Sequence, residues 1–582
     1  MLRSVINARM LICIFCGFSS GLPLYVLYQL IPAWLRSEQV DLATIGLFSL
    51  ISLPYTWKFL WSPLMDWWTP PFWGRRRGWA ILVQVGLFFA LAMLSFLNPH
   101  QDMAILLGVC GLIAFLSASQ DIVLDAHRRE LLPDEELGIG NSYFVNAYRI
   151  SSLVPGSLAL ILSDRMPWEA VHLIVASFVL VGAITTWRMP EPNITSQDPK
   201  LSFSERIQEP FRSFFARGWG AALLILLFMM LYKLGDSMAT ALATPFYMDA
   251  GFSNTMIGTT AKGAALWSSI VGGIIGGIIM VKIGINRALW CFGIVQLVSI
   301  LGFALLSNNS PTLKLLEERP FSSLQDIPNV MPDAMTEKWL RMGTDAVELN
   351  TARKDVLVGK YPEQETWDEI LAERSNHGVF RDAADWVERT KMPVPKDADF
   401  RMWAYGVSKA DLMRLLDISE EKTDELMHKR DAEGPFMAPE QWTDDRLLQG
   451  LMNERLYFQL DVNTATGQQL GTIPNLAPSG WLLFWIISFE YLGVGLGTAA
   501  FVAFTARSTD KRYTATQFAL LTSLAGVPRT FASALTGYLI QSIGYTSFFF
   551  FCTIIALPGM FLLLWVAPWS TDEQSQTKSE AI

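Results

Sequence analysis

Runs of about 20 predominantly apolar residues recur along almost the whole chain, and each is long enough to cross about 30 Å of hydrocarbon as a helix. Reading them in order predicts twelve spans, near residues 10–35, 44–65, 79–97, 103–126, 139–163, 169–188, 218–248, 255–282, 288–307, 480–505, 514–542 and 546–567. Of the 582 residues, 51% are hydrophobic and 17% charged, where soluble domains run near a quarter charged. A soluble enzyme is therefore excluded, and an all-α polytopic membrane protein is expected. The run from Met10 to Leu35 follows Arg3 and Arg9 as a signal peptide's would, but it is long, contains Trp34 and has no small-residue cleavage pattern. It reads as a retained first span.

Basic residues set the orientation. Arg75, Arg76 and Arg77, Arg128 and Arg129, the stretch from Arg188 to Arg217, Lys282 and Arg287, and Arg507, Lys511 and Arg512 all fall on one side, whereas the short loops opposite carry Arg36 and Arg165. Both termini are then expected in the cytoplasm. The basic, Pro-containing stretch between spans six and seven divides the chain into two six-helix halves, the layout of a two-half transporter. This gives an N-terminal half at 1–190, a linker at 191–217, helices seven to nine at 218–307, an insertion at 308–479, helices ten to twelve at 480–568 and a tail at 569–582.

The insertion carries the acidity. Asn308 to Gly480 holds 20 of the 45 Lys+Arg residues and 31 of the 54 Asp+Glu, so the remainder is slightly basic although the whole chain has a formal charge of −9. It follows span nine and is expected in the periplasm, where a long connection adds little closure cost to the bundle. It also repeats itself. Trp367 to Arg374, Gly378, Phe380 and Trp386 align at an offset of 56 with Asp424, Glu425, Leu426, Arg430, Gly434, Phe436 and Trp442, and LNTARKDVL at Leu349 is echoed by VNTATGQQL at Val462. The pattern resembles the ComEA-like helix-hairpin-helix repeat. In that family a Gly-rich hairpin approaches DNA phosphates; here the corresponding stretches read GKYPEQ at Gly359, LLDISEE at Leu415 and IPNLAP at Ile473, without the glycine pair. Beside so many carboxylates, nucleic acid is not the expected partner, because phosphate binding needs neutralising cations. A periplasmic protein contact or a structural role is expected instead.

Ionisable residues inside spans are costly in hydrocarbon unless paired or facing a wet cavity, so they mark function. The cations are Lys58, Arg149, Lys233, Lys262 and Arg529; the acids are Asp121, Asp125, Asp236 and Glu490. Lys233 with Asp236 and Asp121 with Asp125 share helix faces by their spacing. Spread over both halves, these groups predict a central polar cavity, with Gln120 and Gln517 as neutral hydrogen-bonding partners. A proton-coupled carrier needs a carboxylate whose protonation is linked to its surroundings, and Asp121, Asp236 and Glu490 are the candidates. Some of these pairs equally serve to lock helices together. Gly17, Gly21 and Pro23 in span one, Gly272, Gly273, Gly276 and Gly277 in span eight, and Gly493, Gly495 and Gly497 in span ten allow close helix approach.

Several strings resemble the AmpG-type muropeptide permeases of the major facilitator superfamily: GFSSGLPL at Gly17–Leu24, IGLFSL at Ile45–Leu50, KFLWSPLMD at Lys58–Asp66, TPPFWGRRRGW at Thr69–Trp79, SASQDIVLDA at Ser117–Ala126, LYKLGD at Leu231–Asp236, GTAAFVAF at Gly497–Phe504 and ATQFALLTSL at Ala515–Leu524. The insertion lies outside that pattern. The resemblance implies the major facilitator fold in the bacterial inner membrane and import of GlcNAc-anhydro-MurNAc and its peptides for peptidoglycan recycling, driven by protons. It also implies that Asp66 with Arg75, Arg76 and Arg77 gates the inner end, although the WWTPPFW stretch between Asp66 and Gly74 departs from the superfamily's spacing. Competing readings keep the fold with a drug or acyl-coenzyme A as cargo, or make the insertion an envelope receptor or DNA-handling module.

No cofactor or metal is expected. The five cysteines, Cys13, Cys16, Cys110, Cys291 and Cys552, sit in apolar runs, and the five histidines have no partner at ligand spacing.

Overall fold

The computed structural model describes residues 7–62, 65, 68, 70–132, 134–191, 215–216, 218–319, 321, 323, 326–327, 340–341, 347–350, 357, 361, 366–395, 398–404, 407–433, 439–457, 459–461, 465–473, 476–508 and 514–569. They fall into two compact units, one of Met1–Met248, Phe252–Asn309 and Ser479–Ile582, the other of Asp249–Gly251 and Ser310–Pro478.

The first unit is helical. Among the described residues nine helical segments are long and apolar enough to cross a membrane: Ala8–Ser37, Arg75–Phe96, Met103–Leu131, Tyr143–Ser163, Trp168–Arg188, Trp219–Asp249, Asn254–Asn308, Gly480–Thr505 and Thr536–Val566. Two of them contain a glycine kink. Asn254–Asn308 turns at Gly284 (φ 79°), where spans eight and nine were expected to meet, and Thr536–Val566 turns at Gly544 (φ 74°), between the expected spans eleven and twelve. Positive φ costs a side chain dearly and glycine little, so one helix ends and the next begins at each of these glycines with no intervening loop. The expected span two is the shorter apolar run Leu42–Trp57, which breaks into α and 3-10 turns at Phe48–Ser52 and Lys58–Leu60. Thr514–Ala534 supplies the span-eleven helix.

The glycine stripes bring helices into backbone contact. A methyl group at Gly17 would lie 2.2 Å from the Phe144 carbonyl oxygen, and one at Gly21 2.6 Å from that of Tyr148, so span one packs directly on span five. Gly272 meets Leu492, and Gly495 meets Ser269 and Gly273, joining spans eight and ten the same way. At Gly277 nothing approaches within 4 Å, so that glycine is not a packing site. Span one continues past Pro23 and then through a π-helical turn at Val26–Leu30.

Contacts between the halves gather at the end that carries the connections between spans one and two, five and six, and seven and eight. There Gly46 packs on Ala534 and Gly537, Ser157 Oγ donates to the Gly258 carbonyl (2.6 Å), Asn254 Nδ2 donates to Ser163 Oγ (3.1 Å) and the Thr255 N–H donates to Asp164 Oδ2 (2.6 Å).

The second unit is built from short helices and three parallel two-residue strand pairs: Leu340–Arg341 with Leu460–Asp461, Val347–Glu348 with Ala398–Asp399, and Met402–Trp403 with Leu456–Tyr457. It has two small apolar cores. One gathers around Trp367, Phe380 and Trp386, the other around Leu412, Trp442 and Met452. The repeat-equivalent Trp386 and Trp442 are thus each enclosed in a core of their own. Arg374 and Arg430, also 56 apart, both donate to backbone carbonyls ahead of their helices, Leu349 and Val407 respectively. Gly434, Phe436 and the VNT of the third copy lie outside the described residues.

Candidate functional site

Span one presents Tyr25, Tyr28 and Gln29, span two Ser52, Tyr55 and Lys58, span five Tyr148, span seven Ser237, Thr240 and Thr244, span eight Lys262, span ten Tyr491 and span eleven Arg529 and Thr530 to a common cavity of about 730 Å³. Both halves therefore line it. Lys58, Lys262 and Arg529 are its charged groups, and no carboxylate is among the described residues that line it. Lys262 Nζ donates to Thr244 Oγ1 at 2.8 Å, and Tyr25 and Tyr148 meet edge to face at 5.6 Å. A lining of cations, hydroxyls and aromatic faces suits an anionic, polyhydroxylated guest, since ammonium and guanidinium hold carboxylates and tyrosine offers a ring face with a polar tip.

The acids expected in the cavity stand behind its wall. Asp121 accepts from Ser20 Oγ (2.5 Å) and lies 3.9 Å from Lys58 Nζ, so it reaches the cavity only through the lysine. Gln120 is fully buried and donates to Ser19 Oγ (3.0 Å), tying span four to span one instead of facing a guest. Asp125 pairs with Arg128 one turn on, at 2.9 Å, and Arg128 lies over the Phe144 ring; neither lines the cavity. Arg149 is a second-layer residue beside Tyr25, close to Gly273 of the other half.

In the second half Lys233, Asp236 and Glu490 form one buried cluster. Lys233 Nζ lies 3.7 Å from Asp236 Oδ2 and donates to Thr498 Oγ1 at 3.0 Å. Glu490 is fully enclosed, its carboxyl facing Asp236, Lys233 and Ser299. Their chain neighbours Ser237 and Tyr491 do line the cavity, so the cluster is separated from it by one layer of side chains. Helical spacing explains the difference: consecutive residues point about 100° apart, so Tyr491 faces inward while Glu490 turns toward spans seven and nine.

Arg75, Arg76 and Arg77 open the span-three helix after Gly74. Arg75 and Arg76 both reach Glu130 (3.1 and 2.6 Å), and the N–H groups of Arg76 and Arg77 donate to the two oxygens of Glu191 (2.8 and 3.0 Å). A carboxylate on free N–H groups of a helix start is favoured by both hydrogen bonding and the helix dipole. Asp66 lies outside the described residues, as does the side chain of Gln517.

The tyrosines that make up much of the wall carry no charge and so do not stand out in an apolar run, although a mid-span Tyr has a hydroxyl that needs a partner, as a buried serine does. Glu130, in the last turn of Met103–Leu131, and Glu191 lie past the expected ends of spans four and six, where charge is ordinary and singles nothing out.

Residues 13–317 match the Major Facilitator Superfamily. A protein of Haemophilus influenzae without a described function is 35% identical over 577 residues, covering 99% of this chain and 98% of its own length, insertion included. The anhydromuropeptide permease of Escherichia coli K12 is 43% identical over 308 residues; the match covers 53% of this chain and 62% of that one. A putative transporter, AmpG 4 of Rickettsia conorii, is 31% identical over 309 residues, 52% of this chain and 74% of its own. Among solved structures the nucleoside transporter NupG superposes with a TM-score of 0.52 at 8% identity, covering 96% of this chain and 99% of that one, which is a likeness of fold.

Proposed function

This chain belongs to the AmpG-type permeases of the Major Facilitator Superfamily, and we propose that it imports anhydro-muropeptides, sugar–peptide fragments of the cell wall, from periplasm to cytoplasm with protons. The observation that carries the substrate class is the lining of the central cavity: three cations, several tyrosines and hydroxyls, and no described carboxylate. Such fragments are polyhydroxylated and bear peptide carboxylates, so they complement that wall; a cationic drug would not.

The direction rests on charge. The end where the halves touch carries the less basic connections, which the basic-residue bias assigns to the periplasm. The halves then close outside and the cavity faces inward, as a carrier does when releasing cargo. In this orientation both termini are cytoplasmic and the inserted unit is periplasmic, where its acidity and repeats suit a protein-binding or structural accessory.

Of the three candidate proton carriers, Glu490 fits best. It is enclosed beside a second carboxylate, Asp236, to which Lys233 (3.7 Å) and Arg529 both turn, while Glu490 has no ion pair of its own among the described residues. A proton taken there changes the charge behind Ser237 and Tyr491, which links it to the occupant of the cavity. Asp121, already paired with Lys58, serves to position that lysine for the cargo.

The test is uptake by purified protein in proteoliposomes. Lys58→Ala and Arg529→Ala should each lower affinity for a labelled anhydro-muropeptide by about 10- to 100-fold, the worth of a charged hydrogen bond. Affinities within twofold of the parent in both variants would reject the cavity as the binding site.

A further inference from the structure

A second cavity, of about 400 Å³, opens between the ends of spans one, three and six. Its walls include Trp34, Glu38, Phe96, Trp168, Glu169 and His172, and it shares no residue with the central cavity. The ring of His172, 2% exposed, is wedged between Trp34 at 4.5 Å and Trp168 at 5.9 Å, and its Nε2 has no hydrogen-bond partner. His100 Nε2 donates to the Glu38 carbonyl at 2.7 Å, which fixes that corner. Glu38 and Glu169 are near enough to repel each other, and neither has an ion-pair partner among the described residues. Burial first, and then the Glu169 charge, pushes the Glu38 carboxyl up from the ordinary carboxylate range. Phe96, 79% exposed, offers an apolar face at the rim beside the exposed Asn98 and Glu169.

We propose that this recess binds a primary ammonium group. Two uncompensated carboxylates repel anions, and a neutral sugar would leave their charge unbalanced, whereas an ammonium would relieve the repulsion, donate to both carboxylates and lie against tryptophan faces. An unpartnered imidazole nitrogen adds a third acceptor. The chemistry has two sources, the headgroup of an aminophospholipid or a soluble amine, and the apolar rim at a helix end suits the first.

The test uses the full chain in nanodiscs. Thermal unfolding is compared in phosphatidylglycerol alone, in phosphatidylglycerol mixed with phosphatidylethanolamine, and in phosphatidylglycerol with ethanolamine in the buffer. Binding to the folded protein raises the midpoint, by roughly 2 °C or more at saturation. A rise with the lipid alone identifies the headgroup; a rise with ethanolamine too identifies any primary amine. In either case Glu38→Gln/Glu169→Gln should abolish it. Should that double variant not fold, Glu169→Gln alone, altering an exposed side chain, should weaken the half-saturating concentration by about tenfold. The proposal is overturned by the absence of a rise with both amines, or by a rise that the Gln variants leave unchanged.

Discussion

Charge placed where solvent is scarce decides most of what individual residues do here. Lys58, Lys262 and Arg529 face the central cavity, while the carboxylates that complement them stand one layer behind. On the proposed reading, substrate affinity and ion coupling fall to different side chains. Replacing Glu490 with Gln keeps the shape of the buried cluster and removes its titratable proton. Exchange of labelled for unlabelled cargo across the membrane should continue within about threefold of the parent, and accumulation driven by a pH gradient should vanish. Undiminished accumulation would move the coupling site to Asp121. The charged residues themselves were legible in the sequence because each is an anomaly inside an apolar run. Which of them touch the cavity was not, since Glu490 and Tyr491 differ by one position, about 100° of helix rotation, and only Tyr491 lines it. Asp125 illustrates the limit: its helical neighbour Arg128 consumes it.

Glycine stripes on spans one, eight and ten set the distance between backbones, so a single methyl group is felt. At Gly495 it would lie 2.5 Å from the Ser269 carbonyl oxygen and 2.9 Å from the Gly273 nitrogen, and both are backbone atoms that cannot swing away. Gly495→Ala should therefore cost about 1–3 kcal/mol, read as a lower unfolding midpoint, whereas Gly277→Ala, with open space, should be neutral. Within the inserted unit, burial alone would raise the Asp385 carboxyl, but the Arg381 N–H and the Arg414 and Arg389 guanidinium groups outweigh it and hold it below the usual range. A depressed folded value stabilises above the unfolded value of about 3.9 and is lost as pH falls through the folded one. The protection of the helix Ala383–Thr390 against hydrogen exchange, relative to the intrinsic rate at each pH, should therefore fall below about pH 4 in the full chain, more in the parent than in Asp385→Asn. An equal fall in both would assign the loss to other groups. The reversal at Gly284, between Lys282 and Arg287, follows from hydropathy and the basic residues beside it and so could be read in advance; that at Gly544, in QSIGYTS, has no charged neighbour to mark it. The parallel strand pairs could not be read either, because two-residue strands leave no periodic trace.

Across the whole molecule the same chain combines a two-half carrier with an acidic repeat unit in one of its connections. The Haemophilus relative matches along nearly its full length, so this combination is not peculiar to one chain. Polar contacts at one end of the bundle and a lined cavity between the halves form a vessel closed on one side. Two-half architecture was readable from the span count and the basic linker; the closed end was not, because Ser157 with Gly258 and Asp164 with Thr255 are ordinary residues that meet only in three dimensions. The cavity as the route of an anionic sugar–peptide is the central proposal. Its most direct test is accumulation of labelled GlcNAc-anhydro-MurNAc-tripeptide by proteoliposomes holding this protein alone, with the outside made acidic. Uptake above the external concentration, abolished by a protonophore, is the predicted result; equilibration no faster than in empty liposomes would contradict it.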